Sequence, residues 1–270
     1  MSDWLSLNRA NWDERVPGHL AVDPWAKLRA GGAPLTALED AEIGDVAGLR
    51  VLHMQCHIGQ DSLSLARRGA VVTGVDFSAP ALDAGRVASD ALGLPARFIH
   101  AAVYDAPQAL PEPGGFDMVY TSWGTICWLP DIARWARTLA FFLRPGGVLY
   151  FADAHPIAYA FDDQDAAAPE LRPDWFTPYL GREPVPYDDP SDYANPETRL
   201  IHSRQVNFVH PVSDIINALH EADLRLEWLH EHPSIAWRMF RCLVRDAHGM
   251  WTWPDKPWLP LAMSLRAVRA

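Results

Sequence analysis

One stretch of the chain, residues 51–78, constrains its fold more than any other. It opens with the apolar run Val51–Met54, passes through a tight turn into a helix-forming segment, and returns to a second apolar run that ends at Asp76. Short apolar runs bounded by turn residues are typical of buried strands. The order strand, turn, helix, strand brings the free N–H groups of a helix N-terminus and the Asp76 carboxylate to one edge of a sheet. Such an edge predicts a site for a nucleotide-like ligand, whose sugar hydroxyls can donate to the carboxylate.

Further strand and helix segments follow this unit at regular spacing. Residues 96–100, 116–121 and 148–152 have the apolar content of strands, and residues 131–143 carry apolar side chains at helical spacing. Strands that alternate with helices are typical of a parallel, doubly wound α/β sheet. With 270 residues, 49% of them apolar, the chain is long enough for one sizeable core. We therefore expect a single α/β domain.

Two segments do not follow this alternation. Residues 1–48 contain amphipathic stretches that we expect to break at Pro17 and at Gly31–Gly32, which predicts an N-terminal helical cap. Residues 156–210 are dominated by Pro, Asp and aromatic side chains. Because a long connection inside a compact domain is typically functional, we interpret them as a lid over the pocket.

The regular pattern occupies the rest of the chain. Residues 49–155 form the predicted core. Residues 211–270 complete the core sheet with a helix near 211–222, a strand near 224–231 and a last strand at 259–268. Cap, core and lid then belong to one domain overall.

Charge and cysteine content limit the partners. The chain has 34 acidic and 23 basic residues, a net charge of -11, so it should repel a polyanion, and we expect no nucleic-acid partner. Its three cysteines show no paired spacing for zinc or disulfides, which is typical of a reducing cytoplasm. No basic start with an apolar block and no run of about 20 apolar residues occurs, so we expect no membrane association.

Three motifs in the predicted core resemble those of the class I S-adenosylmethionine-dependent methyltransferases. They are the unit at 51–78, the strand Phe116–Tyr120, and the turn and strand at Leu143–Leu149. The resemblance implies a Rossmann-like, mostly parallel sheet of seven strands with an antiparallel last strand, a position that suits residues 259–268. It also implies S-adenosylmethionine as cofactor and S-adenosylhomocysteine as product.

Four shorter motifs resemble a narrower bacterial subgroup that is common in actinomycetes. They are Asn8–Arg15, Gln55–Gly59, Trp128–Asp131 and His155–Pro156. This resemblance extends into the cap and the start of the lid, and the substrates of the subgroup are mostly unassigned.

The resemblance also assigns cofactor-binding residues. The glycine-rich loop of the family falls on Gln55–Gly59, where only one of three expected glycines is present, and the ribose-binding acid falls on Asp76. The acid that many relatives place after the third strand falls on Ala102, so adenine recognition depends on the backbone around Val103 and Tyr104. The full set of candidates is Trp12, Gln55, Cys56, His57, Gly59, Gln60, Asp61, Asp76, Phe77, Ser78, Val103, Tyr104 and Ser122.

Methyl transfer from a sulfonium is an in-line displacement that needs neither a metal nor a covalent nucleophile. Holding the acceptor in line can supply roughly 7–11 kcal/mol of the acceleration. A base matters only when the acceptor must lose a proton, and His155, after the fifth strand, is the first candidate. The alternative role of His155 is to cap the turn before Pro156.

Four further residues are candidates for the acceptor pocket: Trp123, Trp128, Tyr159 and His210. Aromatic faces can line an acceptor or a positively charged sulfonium. For the two tryptophans the alternative is ordinary packing, and for His210 it is a role at a helix start. Trp12 of the cap can close over the cofactor or simply pack its helix.

The chain has 11 histidines, and two pairs invite a metal interpretation, His53 with His57 and His230 with His232. His230 and His232 would share one strand face, yet spacing assigns no third ligand. We therefore expect no metal site.

These observations favour a cytoplasmic enzyme, a monomer or homodimer, that methylates an oxygen or nitrogen of a small molecule. One alternative is an NAD(P)-dependent oxidoreductase, since Asp76 would also suit a dinucleotide. The missing glycines argue against it, because a pyrophosphate needs a closer approach of the backbone. Another alternative is a non-catalytic protein that binds S-adenosylmethionine without transferring the methyl group.

Overall fold

The computed structural model describes residues 3–162 and 174–270, and part of the predicted lid, residues 163–173, lies outside them. The helices are α1 (Trp4–Ala21), α2 (Ala26–Arg29), α3 (Ala37–Glu42), α4 (Gln60–Arg67), α5 (Ala79–Leu92), α6 (Ala106–Ala109), α7 (Ile132–Phe142) and α8 (Val212–Glu221). The strands are β1 (Arg50–Met54), β2 (Val71–Asp76), β3 (Ala96–His100), β4 (Phe116–Ser122), β5 (Leu143–Ala154), β6 (Phe161–Asp162), β7 (Asp174–Trp175), β8 (Val185–Asp188), β9 (Arg204–Asn207), β10 (Leu224–His232), β11 (Ser234–Ile235), β12 (Val244–Arg245), β13 (Trp251–Thr252) and β14 (Ala262–Arg269).

A seven-stranded sheet in the order β10-β14-β5-β4-β1-β2-β3 forms the centre of the molecule. Neighbouring strands from β5 to β3 are parallel, and β14 is antiparallel to both β5 and β10. The predicted α/β fold, with a mostly parallel sheet and an antiparallel last strand, is confirmed. The chain moves outward from β1 to β3 and then returns to place β4 on the other side of β1. Open parallel sheets bind ligands at such a switch point.

The central strands are buried on both faces, which is why their sequences are continuous apolar runs. On one face, Leu52 and Met54 of β1 pack in a core that includes α7 and α8. On the other face, Val51 packs in a core that includes Ile43 and Leu65. Successive side chains of a strand point to opposite faces, so one five-residue strand supplies both cores.

The predicted helix break at Pro17 was wrong, because α1 continues through this residue to Ala21. A proline inside a helix removes one backbone hydrogen bond. Here buried side chains of α1 bind a distant segment: Asn8 exchanges hydrogen bonds of 2.9 and 2.8 Å with the backbone of Val206, and Asn11 donates to the carbonyl of His202 at 2.7 Å. These tertiary contacts offset the local cost. The predicted break at Gly31 is confirmed, because α2 ends at Arg29 and Gly31 has a left-handed φ of 88°.

Two segments outside the main sheet carry small sheets of their own. Within the predicted lid, β6 pairs with β7 and β8 pairs with β9. Between β10 and β14, residues 233–261 contain the three-stranded sheet β11-β13-β12, which sequence analysis did not separate from the core. Its strands are two residues long, too short to show a period of their own. Among the described residues no helix has both the length and the apolar character of a membrane span.

Candidate active site

The site lies at the carboxyl ends of β1, β2 and β4. A cavity of about 780 Å³ opens there, called here the large cavity, and a second of about 160 Å³, the small cavity, lies beside it. Gln55, Phe77 and Trp128 line both. A volume of this size is typical of a small-molecule site.

The turn after β1 has an unusual backbone. Gln55, His57 and Gly59 have φ of 58°, 49° and 77°, so all three positions where the family has glycines are left-handed. Only glycine adopts this conformation freely. The two other residues are held by hydrogen bonds: the Gln55 amide donates to the carbonyl of Thr125 at 2.9 Å, and the His57 N–H donates to Asp76 at 2.8 Å. The turn therefore keeps the shape of a glycine-rich loop without its glycines.

Asp76, at the end of β2, is buried and organises this turn. One carboxylate oxygen accepts the N–H of His57 and the other accepts the N–H of Ser78, both at 2.8 Å. Burial raises the pKa of Asp76 to about 6, although these two N–H groups favour the charged form. The carboxylate lines the large cavity and retains lone pairs for further donors.

The small cavity is an apolar slot at the end of β3. Phe77, Val103 and Tyr104 line it together with Trp4 and Leu129. Tyr104 is fixed by its hydroxyl, which donates to the carbonyl of Asp131 at 2.9 Å and accepts the N–H of the same residue at 2.9 Å. A flat heteroaromatic ring suits such a slot.

An aromatic cluster lies where the cap meets the turn after β1. The Trp12 ring lies 5.2 Å from the ring of His57 and 5.5 Å from that of Trp128, in edge-to-face contacts. Burial lowers the pKa of His57 to about 3, so its ring is neutral. The buried indole N–H groups of both tryptophans and Nε2 of His57 find no hydrogen-bond partner among the described residues. Buried polar atoms normally have partners, so these atoms mark a place for a ligand or water.

The opposite wall of the large cavity is also rich in aromatic side chains. It contains Trp123, Tyr159, Tyr187 and Trp237, and the rings of Trp123 and Trp237 make an edge-to-face contact at 6.1 Å. The indole N–H of Trp123 and the side-chain N–H₂ of Asn207 are buried without partners in the described part of the chain. This wall can therefore hold a planar molecule and donate hydrogen bonds to it.

Two acids, the buried Glu39 and the half-buried Asp61, line the cavity near the cap. Glu39 accepts hydrogen bonds from the N–H and hydroxyl of Thr36, at 2.8 and 2.7 Å, and from the Tyr120 hydroxyl. Burial and the nearby charge of Glu39 raise the pKa of Asp61 well above its ordinary value. Glu39 is not among the predicted site residues, although Thr36-x-x-Glu39 is a capping-box pattern that marks a helix start.

The structure brings most of the predicted residues together. Twelve line the large cavity: Trp12, Gln55, Cys56, His57, Gln60, Asp61, Asp76, Phe77, Ser122, Trp123, Trp128 and Tyr159. Val103 and Tyr104 line the small one. Gly59 and Ser78 line neither: Gly59 shapes the turn, and the Ser78 hydroxyl caps α5 by accepting the N–H of Ala81 at 3.4 Å. Residues lining the large cavity that sequence analysis missed include Arg15, His19, Glu39, Tyr187, Asn207 and Trp237.

His155 and His210 are not brought to the cavities, and this corrects their predicted place in the site. Nδ1 of His155 accepts the N–H of Ile157 at 3.2 Å, and its Nε2 lies 3.0 Å from a carboxylate oxygen of Glu231. His210 donates from Nε2 to the carbonyl of Leu129 at 2.7 Å. Both rings are occupied with neighbouring groups, and burial lowers both pKa values. The role of base suggested for His155 therefore has no geometric support.

Cys56 is not a nucleophile. Its thiol is buried, and burial raises its pKa well above the ordinary value, with the nearby charge of Asp76 acting in the same direction. A protonated thiol is a poor nucleophile. The side chain packs instead between the turn and β2, where a Cβ at Gly74 would lie 2.8 Å from its sulfur.

Comparison with known proteins points to one family. A sequence profile described as methyltransferase domain matches residues 51–147. The ubiquinone biosynthesis O-methyltransferase of Ralstonia nicotianae is 35% identical over 116 residues, 43% of this chain and 48% of that protein. The tRNA 5-carboxymethoxyuridine methyltransferase of Escherichia coli K12 is 32% identical over 147 residues, 51% of this chain and 55% of that protein. The chain thus spans about half the length of these curated relatives.

Solved structures agree on the fold. An S-adenosylmethionine-dependent methyltransferase from Mesorhizobium loti superposes with a TM-score of 0.57 at 22% identity, covering 86% of this chain and 96% of the other. One from Clostridium acetobutylicum has the same TM-score at 12% identity and covers 96% of each chain. Residues 51–147 match a methyltransferase domain, and the chain has the fold of these S-adenosylmethionine-dependent methyltransferases.

Proposed function

We propose that the protein binds S-adenosylmethionine along the carboxyl edge of the sheet and transfers its methyl group to an oxygen or nitrogen of a small molecule. The observation that carries this proposal is the arrangement of the two cavities around Asp76 and Phe77. The small cavity is an apolar slot for adenine, the Asp76 carboxylate accepts hydrogen bonds from the ribose, and the turn at 55–59 receives the methionyl end. When bound, the cofactor supplies an electrophilic methyl group on a positively charged sulfonium.

Charge complementarity supports the placement of the methionyl end. The acid pair Glu39 and Asp61 and the aromatic faces of Trp12 and Trp128 surround that part of the cavity. The described ion pairs give neither acid an arginine or lysine partner. An ammonium or a sulfonium there lies beside the acid pair and the ring faces, and its positive charge favours the ionised form of Asp61.

The chain's contribution to the reaction is to bind, orient and exclude water. The acceptor occupies the aromatic wall formed by Trp123, Tyr187 and Trp237, with Asn207 donating a hydrogen bond to it. Holding the acceptor in line with the methyl group is the largest catalytic effect required. With His155 outside the cavity, an acceptor proton leaves to solvent or to another group of the acceptor.

A small acceptor is favoured over RNA, although one relative is a tRNA methyltransferase. The net charge of -11 offers little neutralisation for a phosphate backbone, and the aromatic wall lies inside a cavity of about 780 Å³. The Ralstonia nicotianae relative is named as an O-methyltransferase, which is consistent with an oxygen as the acceptor atom, and the aromatic wall favours a planar acceptor. The family match argues against the nicotinamide alternative.

Two measurements test the proposal. Calorimetric titration should show one S-adenosylmethionine per chain and no comparable binding of NAD⁺. Incubation with methyl-labelled S-adenosylmethionine and a panel of phenols, catechols, amines and bulk tRNA should then label a small molecule. Labelled tRNA would overturn the small-molecule assignment. Tight cofactor binding without turnover on any acceptor would favour a non-catalytic binding protein instead.

A further inference from the structure

A second cluster of ligand atoms lies on the edge strand of the main sheet. His230 and His232 are two residues apart on β10, so both side chains lie on the same face of the strand. The fold places Glu42, the last residue of α3, against them. One Glu42 carboxylate oxygen lies 2.8 Å from Nδ1 of His230 and 3.6 Å from Nε2 of His232. The three ligand atoms lie within 4.8 Å of one another.

The carboxylate of Glu42 is poorly compensated for its burial. Its side chain is only 11% exposed, and the ion pairs of the described residues join it to the two histidines and to no lysine or arginine. Its other hydrogen bonds come from the neutral hydroxyls of Ser264 and Tyr150, both at 3.0 Å. A carboxylate in such surroundings gains from a bound cation, because buried charge is costly unless it is paired.

The cluster is also preorganised. The ring of His230 stacks on Trp228 with centroids 4.4 Å apart and 10° between the planes, and the Ser264 hydroxyl donates to the Glu42 carboxylate at 3.0 Å. A bound ion would replace the 2.8 Å contact between that hydroxyl and Nε2 of His232. In a tetrahedral site with bonds of about 2.0–2.1 Å, ligand atoms lie roughly 3.3 Å apart. The observed separations of 2.8 and 3.6 Å bracket that value. The side chain of His230 is 51% exposed, which leaves room for a water ligand.

We propose that Glu42, His230 and His232 bind Zn²⁺, with solvent as the fourth ligand. Two imidazole nitrogens and one carboxylate oxygen are a typical zinc donor set, whereas Mg²⁺ and Ca²⁺ prefer oxygen ligands alone. The ion ties α3 to β10. Because Thr36 and Glu39 at the start of α3 line the large cavity, the ion holds one wall of that cavity in place.

The test uses the full chain without a histidine tag. Calorimetric titration with ZnCl₂ at pH 7.5 in a non-chelating buffer should give one ion per chain. Co²⁺ should bind with the intense visible absorption of a tetrahedral complex. His230→Ala and His232→Ala should each weaken zinc binding by at least about ten-fold, the effect that even an outer-shell partner can have.

A matched control variant and a thermal-unfolding measurement distinguish specific zinc binding from nonspecific binding. His248 is exposed and lies outside the cluster, so His248→Ala should bind zinc like the natural chain. Zinc should raise the unfolding temperature of the natural chain and of His248→Ala, but not that of His230→Ala, and EDTA should reverse the increase. Absence of binding, a weak octahedral Co²⁺ spectrum, or equal affinity in the His230→Ala chain would overturn the proposal.

Discussion

At the scale of single residues, the turn after β1 shows how hydrogen bonds can replace a glycine. Gln55 and His57 adopt left-handed backbone that costs about 1–3 kcal/mol per residue. The bonds from Gln55 to Thr125 and from His57 to Asp76 offset this cost. A sequence search for glycines underrates this turn, because the contacts that hold it come from distant residues. Gly59 is different, because there is no room for a side chain at this position.

Replacing Gly59 by alanine should destabilise the protein more than the backbone angle alone explains. A Cβ at Gly59 would lie 2.6 Å from the ring of Phe98, whereas Gly44, with a similar φ of 73°, has nothing within 4 Å. We expect Gly44→Ala to cost about 1 kcal/mol and Gly59→Ala about 1–3 kcal/mol more. Urea unfolding of the two variants measures the difference. Equal losses would show that the crowding is relieved by movement of Phe98.

Replacing Asp76 by asparagine should weaken cofactor binding about ten- to hundred-fold. The variant keeps the shape of the side chain but loses a charged acceptor, worth about 1.5–3 kcal/mol. Titration calorimetry with S-adenosylhomocysteine measures this, and Asp83→Asn, an exposed position on α5, serves as the control. Unchanged affinity in Asp76→Asn would show that the ribose does not bind this carboxylate.

Cofactor affinity should also depend on pH through Asp76. Its pKa of about 6 lies above the ordinary 3.8, and hydroxyl donors bind the ionised carboxylate more strongly than the neutral carboxyl. Affinity should be constant above about pH 7 and fall about ten-fold per pH unit below about 6. Stability moves in the opposite direction: the neutral carboxyl favours the folded state below pH 3.8, and this contribution is lost as the pH rises through 6. Titrations between pH 5 and 8 measure the affinity, and Asp76→Asn should abolish this dependence.

At the scale of elements, α1 is held in place by polar side chains as well as by apolar contacts such as that of Val16 with Ile58. Asn8, Asn11, Arg15 and His19 are buried, and the last two bind Asp192 at 3.3 and 3.1 Å. Sequence patterns predict buried apolar helices well, as they did for α7, but they do not reveal polar docking of this kind. This is why the helix was predicted to break at Pro17. The contacts of α1 with residues 191–206 stabilise the helix beyond Pro17.

Replacing Asn8 by alanine should loosen α1 from β9. Both hydrogen bonds to Val206 are lost, and the backbone groups of Val206 are left buried without these partners. We expect a loss of about 1–3 kcal/mol in the free energy of unfolding. Ser6→Ala, at an exposed position on the same helix, is the control. Chemical unfolding followed by circular dichroism checks the difference, and equal stability of the two variants would contradict it.

At the scale of the whole molecule, the cofactor edge and the acceptor wall come from different parts of the chain. The matched domain, residues 51–147, supplies the turn, Asp76 and most of the small cavity, which α1 completes with Trp4, Leu5 and Asn8. Its strands could be predicted because they are apolar runs bounded by turn residues. The acceptor wall adds Tyr187 and Asn207 from one segment and Trp237 from another. These residues and the proposed zinc ligand Glu42 could not be predicted, because short strands and tertiary contacts leave no periodic signal.

This division predicts that Trp237→Ala alters acceptor binding and spares cofactor binding. Trp237 lies between β11 and β12, outside the matched domain, and its ring contacts Trp123 across the cavity. Removing the half-buried ring of Trp237 costs about 1.5–3 kcal/mol in binding, so the acceptor KM should rise about ten- to hundred-fold. The Kd of S-adenosylhomocysteine should stay within about two-fold, since no proposed cofactor contact is touched.

Steady-state kinetics with the acceptor identified by the labelling panel, together with calorimetry, separates the two effects. Trp258→Ala, at a residue 64% exposed in the same segment, should leave both constants unchanged. If Trp237→Ala instead weakens S-adenosylhomocysteine as much as it raises KM, the wall belongs to the cofactor and the acceptor must enter elsewhere.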